Sequence, residues 1–190
     1  MGMKCTVIVP GSTPKSAADN IREHGATVEC FGNVWDDADE EARRRLTDNS
    51  VLYISPFDHP KIWEGHSSMI DELKLELKGE TPSLVVCSVG GGGLLLGVLD
   101  GLRKNNWAQV PVLAMETYGA ESLNVSLNAG KVVRLDNISS IAKSLGSKQI
   151  AQAALDQSLK HPGKVYSQVC HDTETIHGKY ECGVLKMLTK

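Results

Sequence analysis

Short β-branched and apolar runs alternate along this chain with stretches in which apolar positions recur every three or four residues. Cys5-Thr-Val-Ile-Val9 predicts a strand ending at Pro10-Gly11. Ser12 or Thr13 is then placed to cap a helix that has Pro14 near its first position and His24-Gly25 at its close. Ala26 to Phe31 predicts a second strand, Asp36 to Leu46 a helix, and Val51 to Ile54 a third strand broken by Ser55-Pro56. From Lys61 onward, Ile62, His66, Met69, Ile70, Leu73 and Leu77 fall on one helical face. Ser83-Leu-Val-Val-Cys-Ser88 is too apolar to have a wet side, so it is expected as a central, parallel-type strand. A glycine run follows it. Helices are then expected from Gly93 to about Arg103, from Glu121 to Ala129 and from Lys148 to Leu159, with a strand over Val110 to Met115. After Ile176 only a weak helical pattern remains, which would close a parallel sheet poorly.

This alternation predicts an α/β fold with a mostly parallel sheet and flanking helices. The candidate boundary lies in the irregular stretch from Val51 to His59, and no internal repeat or low-complexity linker appears. The expected division is 1–55, 56–176 and a divergent tail at 177–190.

Composition narrows the function classes. A length of 190 residues suits one large domain, or one domain plus part of another, and 41% hydrophobic residues suffice for a core. With a net charge of −3, and Arg43-Arg44-Arg45 as the sole basic cluster behind Asp36, Asp37, Asp39, Glu40 and Glu41, no nucleic-acid footprint is expected. Those charges read best as a solvated helix face, acids early and bases late. The five cysteines (Cys5, Cys30, Cys87, Cys170, Cys182) are scattered, and Cys5, Cys30 and Cys87, in or beside apolar strand-like runs, suggest small buried residues in a reducing compartment rather than a disulfide frame. No apolar run approaches the roughly 20 residues that span a bilayer, and the start lacks the pattern of a signal peptide. A soluble, cytoplasmic protein with no membrane partner is expected.

The glycine run carries the chemistry. Gly90, Gly91, Gly92 and Gly93 stand directly after a buried strand and directly before an apolar helix. A strand-to-helix turn needs one or two glycines, and each further one costs backbone entropy on folding. What four supply is a backbone able to aim several N–H groups at one point beside the positive end of a helix, which is a phosphate site. The dinucleotide spacing G-x-G-x-x-G fails, because the sixth position is Leu95 or Leu96, and no Gly-Lys-Ser/Thr follows for a P-loop. A glycine-rich turn without a ligand stands as the plain alternative.

Ser88-Val-Gly-Gly-Gly-Gly-Leu-Leu-Leu-Gly97, followed by Pro111-Val-Leu-Ala-Met-Glu-Thr-Tyr-Gly-Ala120, resembles the serine/threonine dehydratase branch of the fold-type II pyridoxal-phosphate enzymes. Pro56-Phe-Asp-His-Pro-Lys-Ile-Trp-Glu-Gly-His66, Ile8-Val-Pro-Gly-Ser-Thr-Pro14 and Glu23-His-Gly-Ala-Thr-Val28 are similar to the same branch. The resemblance runs from about Lys4 to about Ile176. It implies a tryptophan synthase β-like fold, incomplete here, with 1–55 in a small domain and 56–176 in a large cofactor-binding domain. It implies that main-chain N–H groups of Gly90, Gly91, Gly92, Gly93 and Leu94 hold the phosphate of pyridoxal 5'-phosphate. It implies also a monovalent cation, K+, on the carbonyls of Gly90, Ala120, Leu145 and Ser147 and the carboxylate of Glu116. Ser147 stands where close relatives have valine, a change that leaves a carbonyl ligand intact. Glu116 has a structural alternative, a carboxylate at a strand end held by helix N–H groups.

The implied reaction is β-elimination of water from L-serine or L-threonine, giving pyruvate or 2-oxobutanoate and ammonia, in a cytoplasmic homodimer of amino-acid catabolism and gluconeogenesis. Parts of that machine are not found. The family's cofactor-binding lysine and substrate-carboxylate loop belong upstream of Lys4, and the strand contacting the pyridine nitrogen and an acidic-Pro-Ala-Gly stretch belong after Ile176. Lys15, Lys61 and Lys148 read as surface residues of polar helical stretches, and Cys170, His171, His177 and Cys182 match no common zinc spacing. No catalytic residue is therefore assigned, and the chain is expected to be a fragment, lacking both ends, without turnover. The other readings are a phosphate- or cofactor-binding module paired with a full-length subunit, another fold-type II enzyme such as a threonine synthase or racemase, and a nucleotide-binding domain that the glycine spacing disfavours.

Overall fold

The computed structural model describes residues 2–46, 51–170 and 186–188. The chain forms two compact units, Met1–Ile54 and Ser55–Lys190.

In the first unit, β1 (Thr6–Val9), α1 (Lys15–Glu23), β2 (Thr27–Cys30) and α2 (Trp35–Arg44) follow in order. β1 and β2 pair in parallel, from Thr6 opposite Thr27 to Val9 opposite Cys30, with α1 as the crossover. Pro14 itself is the N-cap of α1, and neither Ser12 nor Thr13 caps it by a side chain. Thr13 N donates instead to Pro10 O at 3.0 Å, closing a turn. The start of α2 is held by Asp37, whose Oδ2 accepts from Asn33 N at 2.8 Å and Val34 N at 3.2 Å. Gly32 (φ +69°) permits this approach, since a Cβ there would lie 2.1 Å from Asp37 Cβ.

The charged face of α2 is only partly solvated, contrary to expectation. Glu41 and Asp36 are buried, and Glu41 accepts from Arg44 at 2.7 and 2.8 Å and from Arg45 at 2.7 Å. Arg45 also reaches Glu29 Oε2 on β2 at 2.6 Å. Arg43 lies 4.3 Å from the Tyr53 ring centroid, and the Tyr53 hydroxyl donates to Asp39. Cys5 and Cys30 are exposed, because two strands cannot enclose residues at their ends; Cys87 is buried. Val51 to Ile54 forms no strand. Its apolar residues find no ladder partner among the described residues, and Leu52 is 81% and Ile54 73% exposed.

The second unit contains α3 (Pro60–Glu76), β3 (Leu84–Ser88), α4 (Gly93–Lys104), β4 (Val112–Thr117), α5 (Ser122–Ala129), a 3-10 turn (Lys143–Leu145), α6 (Gln152–Lys160), β5 (Val165–Cys170) and β6 (Lys186–Leu188). The sheet order is β5-β4-β3-β6, parallel except for β6, which runs antiparallel to β3. β3 is interior as the pattern predicts. Its alternate residues Val85 and Cys87 are fully buried beside Val112 and Ala114 of β4. Leu95, Leu99 and Leu102 of α4, Ile70 of α3 and Leu155 of α6 complete the core.

α3 opens with His59 Nδ1 accepting from Lys61 N at 3.1 Å and Pro60 in the first turn. It packs closely on α4 because α4 is bare at two points. A Cβ on Gly97 would lie 2.3 Å from His66 Cβ, and one on Gly101 2.6 Å from Ile70 Cγ1. α6 begins at Gln152 rather than Lys148. The preceding residues are spent on tertiary bonds, Lys148 O accepting from Leu135 N at 2.8 Å. β5 was not expected from the pattern. β6 lies in the tail where only weak helical periodicity was visible, and the remainder of 171–190 is outside the described residues. Among the described residues no helix is long and apolar enough to cross a membrane.

Candidate active site: the β3–α4 glycine loop

The ladder of β3 ends where Val89 N donates to Met115 O at 2.9 Å, and regular helix bonding resumes where Leu96 N donates to Gly92 O at 2.9 Å. Between them, no main-chain acceptor among the described residues meets the N–H groups of Gly90, Gly91, Gly92, Gly93 and Leu94. Gly92 and Gly93 are buried and the other three half-buried, and buried N–H groups are seldom left in that state. Gly92 is the N-cap of α4 with φ +99°, a left-handed conformation that turns the strand into the helix. The donors thus gather at the positive end of a 12-residue helix.

The space that side chains would fill around this loop is already taken. A Cβ on Gly91 would lie 2.4 Å from the Phe57 ring, one on Gly92 2.6 Å from Ala154 Cβ, and one on Gly93 2.7 Å from Phe57 O. Ala151 N donates to Gly91 O at 3.0 Å and ties the loop to the start of α6. A bare backbone with free donors at a helix start fits a compact phosphate well. Phe57, Ile150, Ala151 and Ala154 were not singled out from the sequence. The visible hint was Phe57, one of two phenylalanines, directly after Pro56.

Part of the expected cation set comes together. A Cβ on Gly90 would sit 3.1 Å from Leu145 O, so those two segments touch. Ser147 N donates to Leu145 O at 3.0 Å, while the buried Ser147 side chain turns to Gln149 O at 2.7 Å. Ala120 N donates to Thr117 O at 2.9 Å in the turn after β4. Glu116 is 1% exposed at the end of β4. Its Oε1 accepts from Leu123 N at 2.7 Å, and its Oε2 from Asn124 N at 2.8 Å and Ser167 Oγ at 3.0 Å. This is the helix-held carboxylate of the structural alternative. Burial pushes the Glu116 carboxyl above its usual range, with the Glu121 charge adding to the effect and the three donors opposing it.

Lys61 Nζ pairs with Glu64 at 2.8 Å, and Lys15 is exposed in the first turn of α1. Lys148 is half-buried ahead of α6, not on a helix. Ser158-Leu-Lys160 has the letters of the family's Ser-x-Lys motif, but Lys160 is exposed in the last turn of α6. Of the four Cys/His candidates, Cys170 ends β5, and His171, His177 and Cys182 lie outside the described residues. No group of three or more His, Cys, Asp or Glu among the described residues is placed to hold a metal.

Human L-serine dehydratase/L-threonine deaminase is 44% identical over 177 residues, covering 93% of this chain and 53% of the relative. Human serine dehydratase-like protein is 42% identical over 176 residues with the same coverage. The crystal structure of an L-serine ammonia-lyase from the fungus Rhizomucor miehei superposes with a TM-score of 0.82 at 36% identity, covering 90% of this chain and 53% of that one. The fold is thus that of the fold-type II pyridoxal-phosphate enzymes. The chain spans about half the length of these relatives. The sequence profile of the family described as "Pyridoxal-phosphate dependent enzyme" matches residues 1–175, and the chain belongs to that family.

Proposed function

We propose that this chain belongs to a pyridoxal-phosphate-dependent L-serine/L-threonine ammonia-lyase and forms its phosphate-anchoring part. The observation that carries the reading is the set of five N–H donors from Gly90 to Leu94, without acceptors among the described residues, at the start of α4. Those groups would hold the cofactor phosphate, with Gly92 setting the turn and Gly91 and Gly93 excluding side chains. Pyridoxal phosphate, when bound, supplies the electron sink for loss of the α-proton and of water from the amino acid. The chain's own share is to fix that group and keep its charge at the helix terminus.

A K+ ion on the carbonyls of Gly90, Ala120, Leu145 and Ser147 and on Glu116 belongs to the same reading. The contact of Gly90 with Leu145 supports it, while Glu116 would have to reach the ion beside the three hydrogen bonds its carboxylate already accepts. An oxygen-ligated cation would offset a carboxylate held in an apolar core. We assign 1–55 to the small domain, 56–176 to the cofactor domain and 177–190 to a divergent tail. A cytoplasmic homodimer acting in amino-acid catabolism rests on the resemblance alone.

Titration of the purified chain with pyridoxal phosphate and with pyridoxal tests the reading. Binding should require the phosphate group, compete with inorganic phosphate, and leave no borohydride-stable lysine adduct. L-serine plus cofactor should give no ordinary turnover to pyruvate. Equal affinity for pyridoxal would sink the phosphate site, and steady pyruvate release would sink the assignment of this chain as non-catalytic.

A further inference from the structure

A loop of consecutive glycines has no side chains with which to fix its own shape. Whatever aims its N–H groups must press on it from outside. One residue does so at two of the four glycines. The space for a side chain on Gly91 is filled by the Phe57 ring, with Cζ at 2.4 Å and Cδ1 and Cδ2 at 2.5 Å from the Cβ position. The space on Gly93 is filled by the Phe57 main chain, with O at 2.7 Å and Cα at 2.9 Å.

Phe57 is itself pinned. Trp63 Nε1, in the first turn of α3, donates to Phe57 O at 2.7 Å. The buried Ser55 side chain accepts from Asp58 N at 2.9 Å and, less closely, from Phe57 N at 3.4 Å. A line of restraint therefore runs from α3 through Trp63 and Phe57 to the glycine loop. On another side of the loop, Ile150 and Ala154 close over Gly92.

We propose that Phe57 is a positioning residue, a wedge that pre-organises the loop donors for an anionic ligand while offering it no polar atom. The proposal rests on the reading of this loop as a phosphate site. A flat ring suits the task, since it fills the width of a residue without a side chain and has few rotamers to lose.

A double-substitution cycle tests it, with binding of pyridoxal phosphate and of inorganic phosphate measured on each variant of the full chain. Phe57→Ala should weaken both by roughly tenfold, the scale of one or two misaligned charge-assisted hydrogen bonds. Gly91→Ala should weaken them at least as much, because its methyl meets the ring. The double variant should bind more tightly than Gly91→Ala alone, since the methyl then occupies space the ring has left. Circular dichroism verifies that each variant is folded at the binding temperature. Phe57→Leu, which keeps apolar bulk, serves if the alanine variant unfolds and should fall between it and wild type.

A second readout needs no ligand. Order parameters of the Gly90 to Gly93 amides should be near about 0.85 in wild type and fall toward about 0.6 in Phe57→Ala. Wild-type affinity and order in Phe57→Ala would overturn the proposal alone, as would a double variant no better than Gly91→Ala. Failure of wild type to bind either probe would overturn the phosphate reading and this proposal with it.

Discussion

The carboxyls of two buried glutamates are shifted in opposite directions from their ordinary range, one by its neighbours and one by burial. The guanidinium groups of Arg44 and Arg45 beside Glu41 hold its carboxyl down from an ordinary 4.5 to about 2. The folded value lies below the unfolded one, so this contribution is complete above about 4.5 and is lost as pH falls toward about 2. Glu41→Gln should therefore lower the melting temperature at neutral pH and flatten its fall between those two values. A variant with the wild-type acid profile would show that the network contributes nothing. Glu116 is pushed the other way, by burial. The difference is half legible in the sequence. Glu41 with Arg44 and Arg45 has the three- and four-residue spacing of helical ion pairs. The donors to Glu116 come from Leu123, Asn124 and Ser167, up to 51 positions away, and only the fold brings them there.

The α3–α4 pair shows what periodicity reveals about an element and what it omits. The apolar face of α3 could be read directly, and Ile70 at its centre is fully buried. That Gly97 and Gly101 exist to admit α3 could not, since a helical glycine looks the same in a sequence whether its space is full or empty. The two cases separate by substitution. Gly101→Ala should cost about 1–3 kcal/mol, because its methyl would meet Ile70 Cγ1 at 2.6 Å and Ser67 O at 2.8 Å. Gly65→Ala, on α3 with nothing within 4 Å, should stabilise by about 0.5–1 kcal/mol. Thermal or urea unfolding measures both, and matching signs would refute the packing account. Two segments depart from their strand patterns for related reasons. Val51 to Ile54 has strand composition but no partner among the described residues. β5 is an edge strand whose exposed Tyr166, Gln168 and Cys170 alternate with half-buried Val165, Ser167 and Val169. That two-residue period was present, diluted by polar residues.

At the scale of the molecule, the glycine loop, its wedge and Glu116 all belong to the unit Ser55–Lys190, which holds the main apolar core. The unit Met1–Ile54 has a sheet of two strands, and an isolated pair of strands is marginal in water without helices packed on it. The segment closing that unit, with Leu52 and Ile54 largely exposed and no ladder bonds among the described residues, has the makings of a protease substrate. Chymotrypsin favours large apolar residues in accessible, extended chain. Brief digestion should first cut after Leu52 or Tyr53, leaving a lasting product that begins at Tyr53 or Ile54 and still binds pyridoxal phosphate. A first cut inside β3 or α4 would contradict this. A failed strand would then serve as a perforation, along which the larger unit, Ser55–Lys190, can be detached and handled as a protein in its own right.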